Sequence, residues 1–274
     1  MFSGSVSCAG FFNLYTTEKV DLSYLKLIWI ALAIIGVSLL LLLWVVPRAV
    51  PEPKRRAVLV QSIYRGNYML YGLPFSKTLG GNTGAAMATS IMAVTLPVLN
   101  VIGVFVYSYF SDGKEKPNLK HTAAEALKNP ILWGVVIGFT FRMLPVPLPE
   151  FLYTAGMDLA GVATPLAFLL LGGQFHLSSA GKNRKALTVG LGAKLIVLPA
   201  VVLYILIDWM GITGAALVPL FIFVAAPTAI TNYQMAIQFD ADAELAGDFL
   251  IYSMLFSIPT MVIFIYLLRC GGWI

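Results

Sequence analysis

The chain has 274 residues, of which 59% are hydrophobic and 11% are charged, with a formal net charge of +5. Soluble domains carry about 25% charged residues, so this composition excludes an ordinary water-soluble protein. Basic residues in membrane proteins are distributed by topology, so the net charge gives no support to nucleic-acid binding.

Apolar runs separated by polar segments predict eight membrane-spanning helices, which we name spans A to H. About 20 apolar residues cross a hydrocarbon core of roughly 30 Å. The predicted bounds are 24–46 (A), 55–79 (B), 84–110 (C), 130–146 (D), 151–175 (E), 186–208 (F), 212–238 (G) and 245–268 (H). This pattern predicts an all-α, polytopic integral membrane bundle. The polar linker 111–129 divides it into an N-terminal half, 1–110, and a C-terminal half, 130–274.

Lysine and arginine are concentrated in the links on one side of the predicted bundle. The A–B, C–D and E–F links hold eleven of them, against five on the opposite side. Cytoplasmic loops are enriched in these residues. We therefore expect a multi-pass plasma-membrane protein with these links in the cytoplasm and the C-terminus outside. The acidic G–H link, 240–244, is a mild exception on the cytoplasmic side.

The two halves resemble each other when the chain is shifted by 162 residues. This register places A on F, B on G and C on H, and it aligns Pro97 with Pro259. Because A and F are an odd number of spans apart, the corresponding spans run in opposite directions. Inverted repeats are typical of secondary transporters, whose substrate sites lie near the midplane where helices are interrupted.

Spans B and G contain proline-bearing polar segments at matching places, and we predict helix interruptions at 72–74 and 227–232. Proline removes one backbone hydrogen bond and clashes with the preceding turn. The freed carbonyl groups at this depth need protein, water or ligand as partners. A simple kink at Pro74 or Pro227 is the alternative interpretation.

Amide and hydroxyl groups beside broken-helix ends supply hydrogen-bond donors and positive potential to a carboxylate. An interhelical hydrogen bond that only holds the bundle together is the alternative for each Asn or Thr. The candidate substrate-binding residues are Asn67, Gly72, Pro74, Asn100, Pro227, Thr228, Thr231 and Asn232.

Charged residues inside spans are expensive and are usually functional or paired. Asp158 and Lys194 lie at depths of about 12 and 13 Å from opposite edges, at 1.5 Å per residue. We predict that they pair near the midplane and that one of them titrates in a proton-coupled cycle; a static ion pair or a snorkelling lysine is the alternative. Arg65 either draws an anion inward or extends to the inner surface, and the second interpretation is favoured.

The ordered motifs of the chain resemble the auxin efflux carrier family, specifically bacterial members described as malonate or malate transporters. The likeness covers nearly the whole chain. The motifs are Arg65-Gly66-Asn67-Tyr68 with Gly72-Leu73-Pro74, Leu96-Pro97-Val98-Leu99-Asn100, Asn129-Pro130, Ala163-Thr164-Pro165-Leu166-Ala167 with Leu171-Gly172-Gly173, and Ala226-Pro227-Thr228 with Asn232.

The resemblance implies two inverted five-helix repeats in which the fourth helix of each is broken and the two broken helices cross at the substrate site. Spans B and G would be these helices. The family pattern has ten helices, and this chain departs from it by lacking the first helix and most of the second. Residues 11–15 resemble the C-terminal end of that second helix. A fragment, a misassigned start and a reduced family member are the open explanations.

The predicted function is secondary active transport of small mono- or dicarboxylates such as malonate or malate, coupled to H⁺ or Na⁺. The expected partners are the lipid bilayer, the carboxylate and the coupling ion, with a homodimer as a further alternative and no nucleic acid, metal or cofactor. An inactive fragment or assembly subunit is the main alternative. An intramembrane enzyme is disfavoured because neither H-E-x-x-H nor G-x-S-x-G occurs.

Overall fold

The computed structural model describes residues 24–111, 149–158 and 179–274, together with isolated positions between 133 and 169. The linker from residue 112 to 129 and most of spans D and E lie outside the described residues. Residues 150–158, at the start of span E, are helical and mostly exposed.

The regular structure of the described residues is helical. Pro53 begins the second helix, where its missing N–H is not needed, and the side chain of Asp242 caps the last helix by accepting a bond from Leu245 N. The helices are α1 Leu25–Ala49, α2 Pro53–Tyr64, α3 Tyr68–Ser111, α4 Ser179–Gly192, α5 Leu198–Tyr204, α6 Leu217–Ala225, α7 Ile230–Gln238 and α8 Ala243–Cys270.

Four helical stretches of the described residues are long and apolar enough to cross a membrane. They are Leu25–Ala49, Tyr68–Phe110, Asn183–Trp209 and Ala243–Cys270. In the third, α4 and α5 are joined by one π-helical turn, Ala193–Val197, and extended by another, Ile205–Trp209. Large apolar side chains are exposed along these stretches, as expected for contact with lipid. The predicted all-α membrane fold is confirmed.

Helix α3 is two helices that meet at Gly81. This glycine has φ 65° and ψ −160°, which is a non-helical conformation. A residue without Cβ adopts positive φ readily. Residues 68–80 therefore complete span B, and residues 82–111 form span C, in agreement with the predicted boundary between them.

The acidic G–H link lies against the basic A–B link. Lys54 Nζ lies 2.5 Å from Asp240 Oδ2, and Arg55 Nε lies 3.3 Å from Asp242 Oδ2. The two links therefore occupy the same end of the bundle, as the sequence predicted, and the acidic exception is explained by its basic neighbour. At the opposite end, Gly214 N donates to Trp273 O at 2.6 Å. The F–G link and the C-terminus thus lie together.

Span B is interrupted at a different place from the one predicted. The interruption lies at residues 65–67, between α2 and α3, whereas Pro74 lies inside α3. The 72–74 prediction was therefore wrong. Membrane-spanning helices tolerate a proline where neighbouring groups satisfy the freed carbonyl. At 65–67, hydrogen bonds to the interruption in span G replace the helical pattern. Span G is interrupted at 226–229. The predicted interruption at 227–232 is therefore confirmed for residues 227–229, whereas residues 230–232 belong to α7.

Candidate functional site

The two helix interruptions cross each other through their backbones. Gly66 and Thr228 form an isolated antiparallel bridge, and these residues are 162 positions apart, the shift that relates the two halves. Two hydrogen bonds flank the bridge, from Asn67 N to Pro227 O at 2.6 Å and from Ala229 N to Arg65 O at 3.3 Å. The shift of 162 residues relates Asn67 to Ala229 and Arg65 to Pro227, so the two bonds are equivalent in the two halves. The hydrogen bonding at the crossing therefore has an approximate local two-fold symmetry.

Gly66 permits the close approach of the two chains at the crossing. A Cβ at this position would lie 3.1 Å from Phe223 O and 3.2 Å from Ala226 O. Both contacts are to backbone atoms, which cannot rotate away. Any side chain at residue 66 would push the two interruptions apart.

Gly72 and Pro74 lie beyond the crossing, in α3. A Cβ on Gly72 would lie 2.9 Å from the ring of Tyr68, so this glycine makes room for a buried aromatic side chain. Pro74 O accepts a hydrogen bond from Thr78 Oγ1 at 2.9 Å. The hydrogen bonds of the described residues do not join Gly72 or Pro74 to the interruption in span G.

Two threonine hydroxyls at the crossing are buried without a hydrogen-bond partner among the described residues. They are Thr228 Oγ1, in the interruption, and Thr231 Oγ1, in the first turn of α7. Thr228 as a whole is 0% exposed, and its backbone N donates to Ser253 Oγ at 3.2 Å. Buried polar groups are nearly always bonded, and leaving one unbonded costs about 1–3 kcal/mol. The α7 N-terminus adds partial positive charge beside these hydroxyls.

Asn232 connects three helices on the inner flank of the crossing. Its Nδ2 donates to Ser62 Oγ at 2.5 Å, and Tyr107 O–H lies 2.5 Å from its Oδ1. The residue is 0% exposed, so in this conformation the predicted substrate donor holds α2, α3 and α7 together. Asn67, by contrast, is half-buried and immediately precedes α3.

Arg65 is part of the crossing, although it was absent from the predicted site. Its side chain is 3% exposed, so the favoured interpretation, extension to the inner surface, was wrong. The guanidinium donates to Leu99 O at 3.2 Å and to Asn100 Oδ1 at 2.5 Å. Asn100 is therefore linked to the crossing by its hydrogen bond with the Arg65 guanidinium. The signal in the sequence was a charged residue next to Gly66 within an apolar span.

Lys194 is completely buried at the end of α6 and does not meet Asp158. Its Nζ donates to Val224 O at 3.1 Å, whereas Asp158 is exposed. In an unbroken helix Val224 O would accept from Thr228 N, but that N–H donates to Ser253. Lys194 thus bonds to a carbonyl that the interruption frees. The ion pairs of the described residues do not include the predicted Asp158–Lys194 pair.

A small cavity leads toward the inner flank of the crossing from the end where the A–B and G–H links lie. Its volume is about 180 Å³. It is lined by Lys54 and Asp240 at the surface and by Tyr107 and Phe239 deeper in, and these two rings stack with centroids 5.6 Å apart. Tyr107 therefore lines this cavity and also bonds to Asn232.

Replacement of Asn232 by Ala is expected to lower both stability and transport, with membrane insertion intact. The change removes the side-chain amide that bonds to Ser62 and to Tyr107, and each lost bond costs roughly 1 kcal/mol. Tyr107 O–H keeps a bond to the backbone oxygen of residue 232, which accepts at 3.0 Å. Thermal unfolding of the purified chain followed by tryptophan fluorescence measures the first effect, and vesicle transport measures the second. Tyr107→Phe, which removes one hydroxyl, should give about half the loss of stability. Unchanged transport kinetics in Asn232→Ala would remove this residue from the site.

A family model described as Membrane transport protein matches residues 8–265. Among curated proteins, no match to this chain is found. The family match confirms the resemblance at the level of the family, and the malonate- or malate-transporting subtype stays a prediction.

Proposed function

Because the chain belongs to the membrane transport protein family, we propose that it is a secondary active transporter of small organic anions, namely mono- or dicarboxylates such as malonate or malate. Its place is a plasma membrane, with the A–B and G–H links in the cytoplasm and the C-terminus outside. The division into halves at the linker 111–129 belongs to the same proposal.

The observation that supports this proposal is the pair of unbonded threonine hydroxyls at the crossing, Thr228 and Thr231. Each hydroxyl donates one hydrogen bond, and a carboxylate accepts several. Asn67, which is half-buried and follows Gly66, carries an amide that can supply further donors. The N-termini of α3 and α7 both begin at the crossing, so their partial positive charges favour an anion there.

Transport by alternating access requires the crossing to open to one side at a time. In this conformation Gly66, Thr228 and Asn232 are buried, and Asn67 is half-buried. Movement of one repeat against the other would open it. The coupling ion is H⁺ or Na⁺, and the buried ammonium of Lys194, bonded to the end of α6, is the candidate coupling group.

Transport of carboxylates by purified chain in lipid vesicles tests the proposal. We expect uptake of labelled malonate or malate to depend on an imposed pH or sodium gradient and to stop when that gradient is collapsed. The ion whose gradient drives uptake is the coupling ion. Vesicles without protein are the control. Failure to move any member of a carboxylate panel, under either gradient, would favour an inactive chain or an assembly subunit.

A further inference from the structure

A groove of about 700 Å³ lies between α8 and the stretch formed by α4 and the π-helical turn after it. Cavities of this size are typical of sites for small ligands. The described lining runs from Arg184 to Ile196 on one side and from Tyr252 to Thr260 on the other. It does not include the residues of the crossing, so the groove is a separate feature of the molecule.

The walls of the groove offer almost only hydrocarbon to a ligand. Leucine side chains line one wall, and the stacked rings of Tyr252 and Phe256 line the other. The hydroxyls of Thr188 and Thr260 each donate to a backbone oxygen of their own helix at 2.9 Å, so both are already bonded. Ile196 is 54% exposed, and the groove is therefore open to the lipid around the helices. A ligand that lies along these walls must be apolar.

One end of the groove is basic. Arg184 is exposed there and is the charged residue of the described lining, and the ion pairs of the described residues do not use its guanidinium. Its neighbour Asn183 accepts from Arg55 Nη2 at 2.7 Å, so this end lies beside the basic A–B link. Arginine is always charged and suits phosphate geometry. The guanidinium of Arg184 is thus available to an anion at the rim.

The acidic residues near this end do not line the groove. The buried carboxylate of Asp248 accepts from Asn183 Nδ2 at 2.9 Å, and Asp240 and Asp242 pair with the A–B link. None of these three belongs to the described lining. An anion at Arg184 therefore meets no carboxylate on the described walls.

The groove has the length of one acyl chain. The bond between Asn183 and Asp248 places the beginnings of its two sides at the same level. From Arg184 to Ile196 the helical stretch rises about 18 Å at 1.5 Å per residue. One leaflet contributes about 15 Å to the hydrocarbon core. The groove therefore extends from the headgroup level to the neighbourhood of the bilayer midplane.

Gly192 leaves the middle of the groove empty. A Cβ at this lining position would meet no atom within 4 Å. Its φ of −58° and ψ of −45° are helical, so the backbone accepts any ordinary side chain here. A large side chain at residue 192 would consequently fill the groove without displacing described atoms.

We propose that the groove binds an anionic phospholipid of the adjacent leaflet, with one acyl chain along its walls and the phosphate at Arg184. A free anion would leave the apolar walls unfilled, and an uncharged lipid would leave the guanidinium without a counter-charge. The phospholipid satisfies both ends of the groove. This site goes beyond the proposed function and does not depend on which substrate the chain transports.

Native mass spectrometry of the purified full chain, titrated with phosphatidylglycerol or with phosphatidylcholine of the same acyl chains, tests the charge requirement. We expect wild-type chain to bind one phosphatidylglycerol about fivefold more tightly, since a basic residue near the surface contributes about this factor for an anionic lipid. Arg184→Gln should bind the two lipids equally, and Arg184→Lys should keep most of the preference. Glycerol 3-phosphate, which has the phosphate without acyl chains, should not compete.

Gly192→Phe tests the place of the acyl chain. Its ring should occupy the groove and weaken binding of phosphatidylglycerol by at least about tenfold, with the unfolding temperature unchanged. Gly36→Phe in α1 is the matched control, because a Cβ there also meets no atom within 4 Å, and it should bind the lipid as wild-type chain does.

Four results would overturn the inference. They are wild-type binding of phosphatidylglycerol by Gly192→Phe, an unchanged preference for this lipid in Arg184→Gln, competition by glycerol 3-phosphate, and a lowered unfolding temperature of Gly192→Phe. The last would show that another part of the chain fills the groove. Carboxylate transport would stand or fall separately in each case.

Discussion

Gly66→Val is expected to reduce transport by at least about tenfold and to lower the stability of the chain. The added side chain meets Phe223 O and Ala226 O, which a Cβ alone would approach to 3.1 and 3.2 Å. Overpacking of this kind costs about 1–3 kcal/mol, and each 1.4 kcal/mol is a tenfold change in an equilibrium. The two interruptions would separate, and the hydrogen bonds on either side of the bridge would be lost. Vesicle transport and thermal unfolding measure the two effects.

The matched control is Gly36→Val in α1. A Cβ at Gly36 would meet no atom within 4 Å, so the same substitution in another membrane-spanning helix should leave both transport and unfolding unchanged. Gly66→Ala should be intermediate, because its single methyl group requires a shift of only a few tenths of an ångström. If Gly66→Val transported at the wild-type rate, the close backbone crossing would not be needed for function.

The double variant Thr228→Val, Thr231→Val is expected to lose transport without losing stability. Valine has nearly the shape of threonine but has no hydroxyl. Both hydroxyls are buried and unbonded among the described residues, so their removal should leave the free energy of unfolding unchanged or raise it. A hydrogen bond to a charged ligand contributes about 1.5–3 kcal/mol. The loss of both should lower the apparent affinity for a carboxylate by at least about tenfold.

Thr95→Val is the matched control for this variant. Thr95 is 0% exposed, and its hydroxyl donates to Ile91 O in its own helix at 2.8 Å. Its replacement should leave transport unchanged. A double variant that transports normally, or one that loses transport only because it unfolds at lower temperature, would show that the two hydroxyls do not contact substrate.

Within the described residues, the sequence predicted the membrane-spanning helices well because hydrophobic length is a local property. Span A and α1 begin within one residue of each other, and span H lies within α8. The repeat shift of 162 was also visible, and it proved to relate Gly66 to its partner Thr228. The repeat shift can be found by comparing residue types at matched positions, and it needs no knowledge of which residues are in contact.

The place of the interruption in span B could not be predicted in the same way. Proline is the usual local signal for a break, and it pointed to Pro74. The helix instead ends at Tyr64 because Asn67 N bonds to Pro227 O, in a segment far away in the chain. Long-range hydrogen bonding decided the position, and a glycine that permits close approach was the informative residue.

The roles of the polar residues also depended on tertiary contacts. Asn232 and Thr228 were equivalent candidates in the sequence, yet one is bonded on both sides of its amide and the other has an unbonded hydroxyl. Arg65 was expected to reach the surface, but α3 covers it. Residue type specifies which bonds a side chain can form, and only the packing of helices specifies which bonds it does form.

Equilibrium binding of labelled malonate to the purified chain tests most directly the claim that a carboxylate binds at the crossing. Wild-type chain, Thr95→Val and the Thr228→Val, Thr231→Val variant would be measured side by side, all verified as folded. We predict saturable binding by the first two and at least about tenfold weaker binding by the third. Saturable binding of equal strength in all three would contradict a substrate site at the crossing.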